Sequence, residues 1–215
     1  MDFWLATANM RRIETCLRYG FFKGVITNPH VVSLENKNKV ELFRDIISIA
    51  DIAYFQLKDG STKEMLEEAE RMLSINPEKI RIKVPASLEG IEVIRRLADR
   101  NIPTMATVVP TSSWMLLASA AGAKQIAPYS GMLQKRNIMS KMEGVIKMQK
   151  IIDRQQLNIE ICTGIYHATE IETYAEQGIK SGFIWEKDVE SFLRQDLVDE
   201  AIEAFHADWQ NIENY

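Results

Sequence analysis

The chain has 215 residues, 46% hydrophobic and 26% charged, with a formal net charge of −4. This is ordinary globular composition with ample material for a core, and it gives no electrostatic reason to expect nucleic acid or an anionic membrane as partner. Two distant cysteines (Cys16, Cys162), three scattered histidines (His30, His167, His206), no long uncharged apolar run and no signal-like start argue against a disulfide framework, a metal site or a membrane span, and a cytoplasmic protein is expected.

In chain order, short apolar runs alternate with longer amphipathic stretches. The first predicted strands are Phe3–Ala6 and Gly24–Ile26, the second running into Thr27-Asn28-Pro29. A helix over Val40–Ala50 leads to a strand at Ile52–Leu57, and Thr62–Leu73 is helical again. In the fourth strand, Ile80–Val84, the residues Ile80, Ile82 and Val84 share one parity, and Arg81, Lys83 and Pro85 the other. Lys83 therefore projects opposite the apolar row, and Pro85 ends the strand. Leu88–Asp99 follows, with Ile91, Ile94 and Ala98 at helical spacing. Then come a strand at Thr104–Val108, a helix over Ser113–Ala121, a strand at Gln125–Ala127, and a helix over Ile138–Gln155. Ile159–Cys162, a helix over Glu170–Glu176 and Gly182–Trp185 complete the pattern. Beyond it, 188–215 reads as helical with an apolar stripe of Phe192, Leu193, Leu197, Val198, Ile202, Phe205 and Trp209. That stripe packs either on the chain's own barrel or, as an arm, on a neighbouring subunit.

Strands alternating with helices imply a parallel sheet, and eight such units in one chain fit a (β/α)8 TIM barrel with tight loops. The expectation is a single domain over 1–215, with 188–215 as C-terminal helix and arm. No GxGxxG or GxxxxGK[ST] motif follows a strand, so a nucleotide-binding reading lacks support. On a half-exposed sheet Lys83 would merely be solvated. In a closed barrel it points into the mouth, where a partly desolvated lysine loses its proton and attacks a carbonyl. Arg81 shares its parity, and Glu160 shares that of Gly164, so an interior Arg81–Glu160 pair beneath Lys83 is expected, with the arginine helping to depress the lysine. Barrel enzymes carry their chemistry at the C-terminal strand ends, which here read Ala6-Thr7, Thr27-Asn28-Pro29, Gln56, Lys83, Thr107, Tyr129 and Gly164.

Several segments carry a resemblance. Gly24-Val-Ile-Thr-Asn-Pro29, Ile82-Lys-Val-Pro85 with Glu89-Gly90, Ile102-Pro-Thr104 through Thr107, Ala120-Ala-Gly122 with Ala127-Pro-Tyr129, and Ala207-Asp-Trp-Gln210 lie in the order and spacing of the small transaldolase family. Within it the chain more closely resembles the fructose-6-phosphate aldolase branch. The resemblance implies a class I aldolase that works through a lysine Schiff base, without metal or other cofactor. Lys83 would form the imine, and Asn28 would hydrogen-bond a substrate hydroxyl. Gln56, Thr107 and Tyr129 would hold a proton-carrying water, with Tyr129 as acid and base. Thr27, Ala6 and Gly164 would line the substrate. The implied partners are a small sugar or sugar phosphate and further copies of the chain, as pentamer or decamer.

The chain also departs from the family pattern. Ala6 stands where the family has an aspartate, and Ile26 where it has a threonine. Met132 and Gly164 replace the arginine and serine that grip phosphate, with Lys135 and Arg136 close by. Without those donors a dianion is poorly held, so unphosphorylated aldehydes or ketones are the expected substrates. Plainer roles compete at each position: Thr107 and Gln56 as interior hydrogen-bonding groups, Tyr129 as a core aromatic, Asn28 as turn chemistry. A non-catalytic, metabolite-binding or regulatory barrel is the rival function. Ala6 and the lost phosphate donors favour it, whereas five retained pocket groups from five strands favour the enzyme.

Overall fold

A computed structural model describes residues 1–213. The elements run β1 (Asp2–Ala6), α1 (Met10–Leu17), β2 (Phe22–Ile26), α2 (Pro29–Ser33), α3 (Lys39–Ile49), β3 (Ala53–Gln56), α4 (Thr62–Leu73), β4 (Ile80–Pro85) and α5 (Leu88–Ala98). They continue as β5 (Thr104–Val109), α6 (Ser112–Ala121), β6 (Gln125–Pro128), α7 (Ser130–Lys135), α8 (Lys141–Gln155), β7 (Glu160–Ile165), α9 (Ala168–Glu176), β8 (Ser181–Trp185), α10 (Val189–Leu193) and α11 (Asp196–Glu213). The eight strands close into one parallel barrel in sequence order, with β8 returning to β1. This is the (β/α)8 architecture that the alternating pattern implies.

Side-chain parity sorts the interior. The outward row, including Leu5, Val25, Phe55, Ile80, Ile82 and Val84, joins the helices' buried faces in the larger apolar core. The inward row forms a second cluster of Trp4, Ala6, Ile26, Tyr54, Met105, Ala127 and Cys162. This cluster is the floor beneath the C-terminal mouth, and it makes the barrel a packed core rather than a pore.

Local chemistry fixes where seven of the helices begin. Asn9, Asn28, Asn38, Ser87 and Thr111 cap α1, α2, α3, α5 and α6 through their side chains. Ser61 with Glu64, and Ser140 with Glu143, form capping boxes at α4 and α8. The second box sets the start of α8 at Lys141, three residues later than the apolar pattern alone predicts. Gly90 has a steric reason: a Cβ there would lie 1.8 Å from the Pro85 carbonyl oxygen. Only glycine lets α5 sit so close to the end of the strand that carries Lys83.

Two expectations need correction, and one open choice narrows. β7 extends to Ile165 because its last residues pair with β8, Gly164 opposite Phe183, so Gly164 lies within the strand rather than after it. The expected Arg81–Glu160 ion pair does not form, although both residues line one small cavity at the barrel's N-terminal end. Glu160 reaches outward to Lys180 at 3.0 Å, and Arg81 donates to the carbonyls of Pro77 and Ile80. Both charges thus reach the barrel's open end, where solvated or backbone partners cost less than a buried pair. The stripe of α11 does not pack on the chain's own barrel: Leu197 is 79% exposed, Phe205 63% and Trp209 61%. Phe192, on α10, does pack against the core. Residues 214 and 215 of the predicted arm lie outside the described residues.

Candidate active site

Lys83 lies inside the mouth of the barrel with only 6% of its surface exposed. Its Nζ donates to the Thr27 carbonyl oxygen at 2.9 Å. Thr27 is itself held by β3, its amide and hydroxyl both donating to the Tyr54 carbonyl oxygen at 3.2 and 2.8 Å. The lysine is therefore anchored to a rigid strand end rather than to a carboxylate. Burial pushes it down from the ordinary lysine value to about 8, because a charged ammonium loses water there that one carbonyl does not replace. Cys162 on the inward row is the titratable group that opposes the shift, but its own burial pushes it up to about 12. It stays a neutral thiol and offers Lys83 no counter-charge. Arg81, expected to help, is not among the causes of the shift.

A cavity of about 410 Å³ opens above Lys83. Asn28, Gln56, Lys83, Thr107, Tyr129 and Gly164 all line it, so six of the eight sequence-predicted site residues converge from six strand ends. Gln56 stands beside Lys83 in the β3–β4 register. Asn28 spends its Oδ1 capping α2, accepting from the Val31 amide at 3.0 Å, which fixes the side chain at the cavity wall. Tyr129 is half exposed at the rim, on the same cavity as Gln56 but with no hydrogen bond joining the two. Thr107 precedes a bulge in β5, where Val108 adopts φ +60°. A β-branched residue rarely takes that conformation, and such strain gathers at functional sites.

The other two predicted residues sit differently. Thr27 is buried and acts through its carbonyl on Lys83, with a place on the wall of an adjacent cavity of about 660 Å³. Ala6 lies in the apolar floor and does not line the cavity above Lys83. The structure also links two of the departures from the family pattern. Ala6 is paired in register with Ile26, and both belong to the same floor cluster. An aspartate at position 6 would be a carboxylate sunk among Trp4, Ile26 and Trp185, which burial strongly disfavours. Gly164 follows the same logic, since a Cβ there would meet the Phe183 ring at 3.0 Å and the Tyr166 hydroxyl at 3.3 Å. Aromatic rings fill the space a serine would need.

Sequence reasoning missed several residues on this wall: Lys141, Tyr166, Phe183 and Trp185. Lys141 left a readable signal, as a lysine in the first turn of a helix opposes the helix dipole and needs a reason to be there. It is 6% exposed and bridges to Glu170 at 2.7 Å, with its Nζ 4.1 Å from the Tyr166 ring centre. Lys135 lines the rim as the departures anticipated, whereas Arg136 does not.

Comparison with known proteins fits this arrangement. The family described as Transaldolase/Fructose-6-phosphate aldolase matches residues 3–180. A protein named "Probable transaldolase 2" from Bacillus anthracis is 30% identical, covering 97% of this chain and 97% of its own length. "Probable transaldolase" from Coprothermobacter proteolyticus is 28% identical over 99% of this chain and 98% of its own. A third, from Thermoanaerobacter sp., is 29% identical over 98% and 97%. With a parallel barrel, a sheltered lysine at its mouth and a match across most of its length, the chain belongs to the transaldolase/fructose-6-phosphate aldolase family, an enzyme family of aldolase and transaldolase type.

Proposed function

We propose that this protein is a class I aldolase that makes or breaks a carbon–carbon bond in small hydroxy-carbonyl sugars through an imine on Lys83. The observation that carries the proposal is the burial of Lys83, which brings it to about 8 among polar groups from neighbouring strand ends. At neutral pH about one such amine in ten is uncharged, against roughly one in several thousand for a solvated lysine.

The chemistry follows from those groups. The neutral amine adds to a donor carbonyl and water leaves, giving a protonated imine. Removing a proton from the hydroxyl on the second carbon along lets the intervening carbon–carbon bond break. Its electron pair flows into the C=N⁺ to form an enamine, and an aldehyde departs. The enamine then attacks a second aldehyde or takes up a proton, and hydrolysis frees the lysine. Tyr129 would accept and return the proton through a water held with Gln56 and Thr107, since the phenol and the amide do not touch. Asn28, fixed by its capping bond, would orient a substrate hydroxyl.

Fructose 6-phosphate is the substrate the family description names, and dihydroxyacetone is a smaller donor of the same hydroxy-carbonyl class. Met132 and Gly164 at the phosphate positions support a preference for unphosphorylated compounds in this chain. The exposed face of α11 supports assembly into a homo-oligomer, and a cytoplasmic place fits the two free, buried cysteines.

Sodium borohydride added with dihydroxyacetone tests the central step. A stable mass increase confined to the Lys83 peptide, and absent in Lys83→Met, is expected. If no adduct forms there, the rival stands: a barrel that binds metabolites without turning them over, which the alanine at position 6 favours.

A further inference from the structure

The same cavity holds a second buried lysine, and its partner has a role that the imine chemistry does not use. Lys141 lines the wall, with its side chain 7% exposed, and its Nζ is 2.7 Å from Glu170 Oε2. That same oxygen accepts the Tyr166 backbone N–H at 2.9 Å. An ammonium and a backbone N–H meeting on one oxygen are the donors that would hold an oxygen of a phosphate monoester. Here a carboxylate from the protein already has them.

We propose that Glu170 is a specificity-determining residue: its carboxylate stands in for a substrate phosphate and turns the site toward uncharged acceptors. This rests on the aldolase reading of Lys83 and deepens it. The charges around the pair support it. Lys141 faces the rings of Tyr166 and Tyr174, at 4.1 and 5.5 Å, and Glu170 is its acidic partner. With the two neutralised, this side of the cavity presents no net charge to a dianion, and a phosphate approaching Lys141 meets the carboxylate behind it. Lys135 remains on the rim, but it is exposed, so its attraction is weakened by water and salt. Glutamine at 170 would keep the shape and the bond from the Tyr166 N–H, while releasing the charge of Lys141 toward the cavity.

The test compares kcat/KM for glyceraldehyde 3-phosphate with that for glyceraldehyde as acceptors. Wild type is expected to favour glyceraldehyde. Glu170→Gln is expected to raise the phosphate-to-neutral ratio at least roughly tenfold, and Glu170→Gln with Lys141→Met is expected to lose that gain. Inorganic phosphate is expected to raise the melting temperature of Glu170→Gln above that in equal ionic strength of chloride, with no such difference in wild type. An unchanged ratio and no phosphate effect in Glu170→Gln would overturn the proposal and leave the pair as a clamp between helices. So would a wild type that prefers the phosphorylated acceptor. If Glu170→Gln does not fold, Lys141→Met alone decides: its ratio is expected to stay within twofold of wild type even if both rates fall, and a tenfold loss specific to the phosphorylated acceptor sinks the idea. Borohydride trapping on wild type separates the two levels, because failure of the aldolase reading abolishes the adduct, whereas failure of this inference leaves it intact.

Discussion

Lys83 turns a burial cost into reactivity, and the same cost is visible in folding. Its folded value of about 8 lies below the ordinary lysine value that it regains when unfolded. Between those two values the unfolded chain binds a proton that the folded chain does not, so stability contributed by this residue rises with pH across that window. Below it, the folded state carries the desolvation penalty in full. Lys83→Met removes the penalty. It is therefore expected to be more stable than wild type near pH 7, with the gap, on the order of 3 kcal/mol, closing as pH climbs from 8 toward 10. Denaturant titrations of both proteins at several pH values measure this directly, and a gap independent of pH would show that Lys83 is not desolvated. Borohydride trapping should rise as pH approaches the folded value and level off above about pH 8. Lys83 was legible in the sequence because strand parity alone sets its direction. Lys141 was legible only as a misplaced charge in a first helical turn, not as a buried group, because its burial comes from packing between α8 and α9, which no period in the chain records.

At the scale of the element, the unit formed by β4 and α5 sets where the reactive amine sits. Ser87 caps the helix, and Gly90 allows its first turn to press on the Pro85 carbonyl. Gly90→Ala must separate the two, since a methyl group cannot occupy 1.8 Å of space. The expected result is a loss of roughly 2–4 kcal/mol in denaturant unfolding, together with slower imine trapping as β4 shifts beneath Lys83. Stability within about 0.5 kcal/mol of wild type would mean that α5 has room to move. The strands and long helices were readable because their apolar periods are set by one face each. Their ends were less so: pairing with β8 prolonged β7, and the capping box at Ser140 delayed α8. The interior charges failed for a third reason. Parity placed Arg81 and Glu160 inward, but at the open end of the barrel long side chains escape to solvent and to backbone carbonyls.

On the scale of the whole molecule, the barrel accounts for its own core, and α11 is left over. Leu197, Val198, Ile202, Phe205, Trp209 and Ile212 are between 47% and 79% exposed along one helix. Six large apolar side chains held in water along 18 residues are unfavourable for a lone subunit. A helix in that setting draws most of its stability from packing, so a chain without a partner would hold it poorly. Covering the stripe with a second copy of the same chain satisfies both demands, and closed symmetry would repeat the contact around a ring. The wild-type protein is therefore expected to run by light scattering at a multiple of its 24.7 kDa chain mass. Phe205→Glu with Trp209→Glu is expected to reduce it to the single-chain mass, because two carboxylates cannot be buried there without partners. The barrel should survive this change, since neither residue belongs to its core. Near-ultraviolet circular dichroism of the remaining tryptophans, together with borohydride trapping, would verify that the mutant barrel is intact. A wild-type protein that scatters as a monomer would remove the reason for the stripe, and with it the proposed ring.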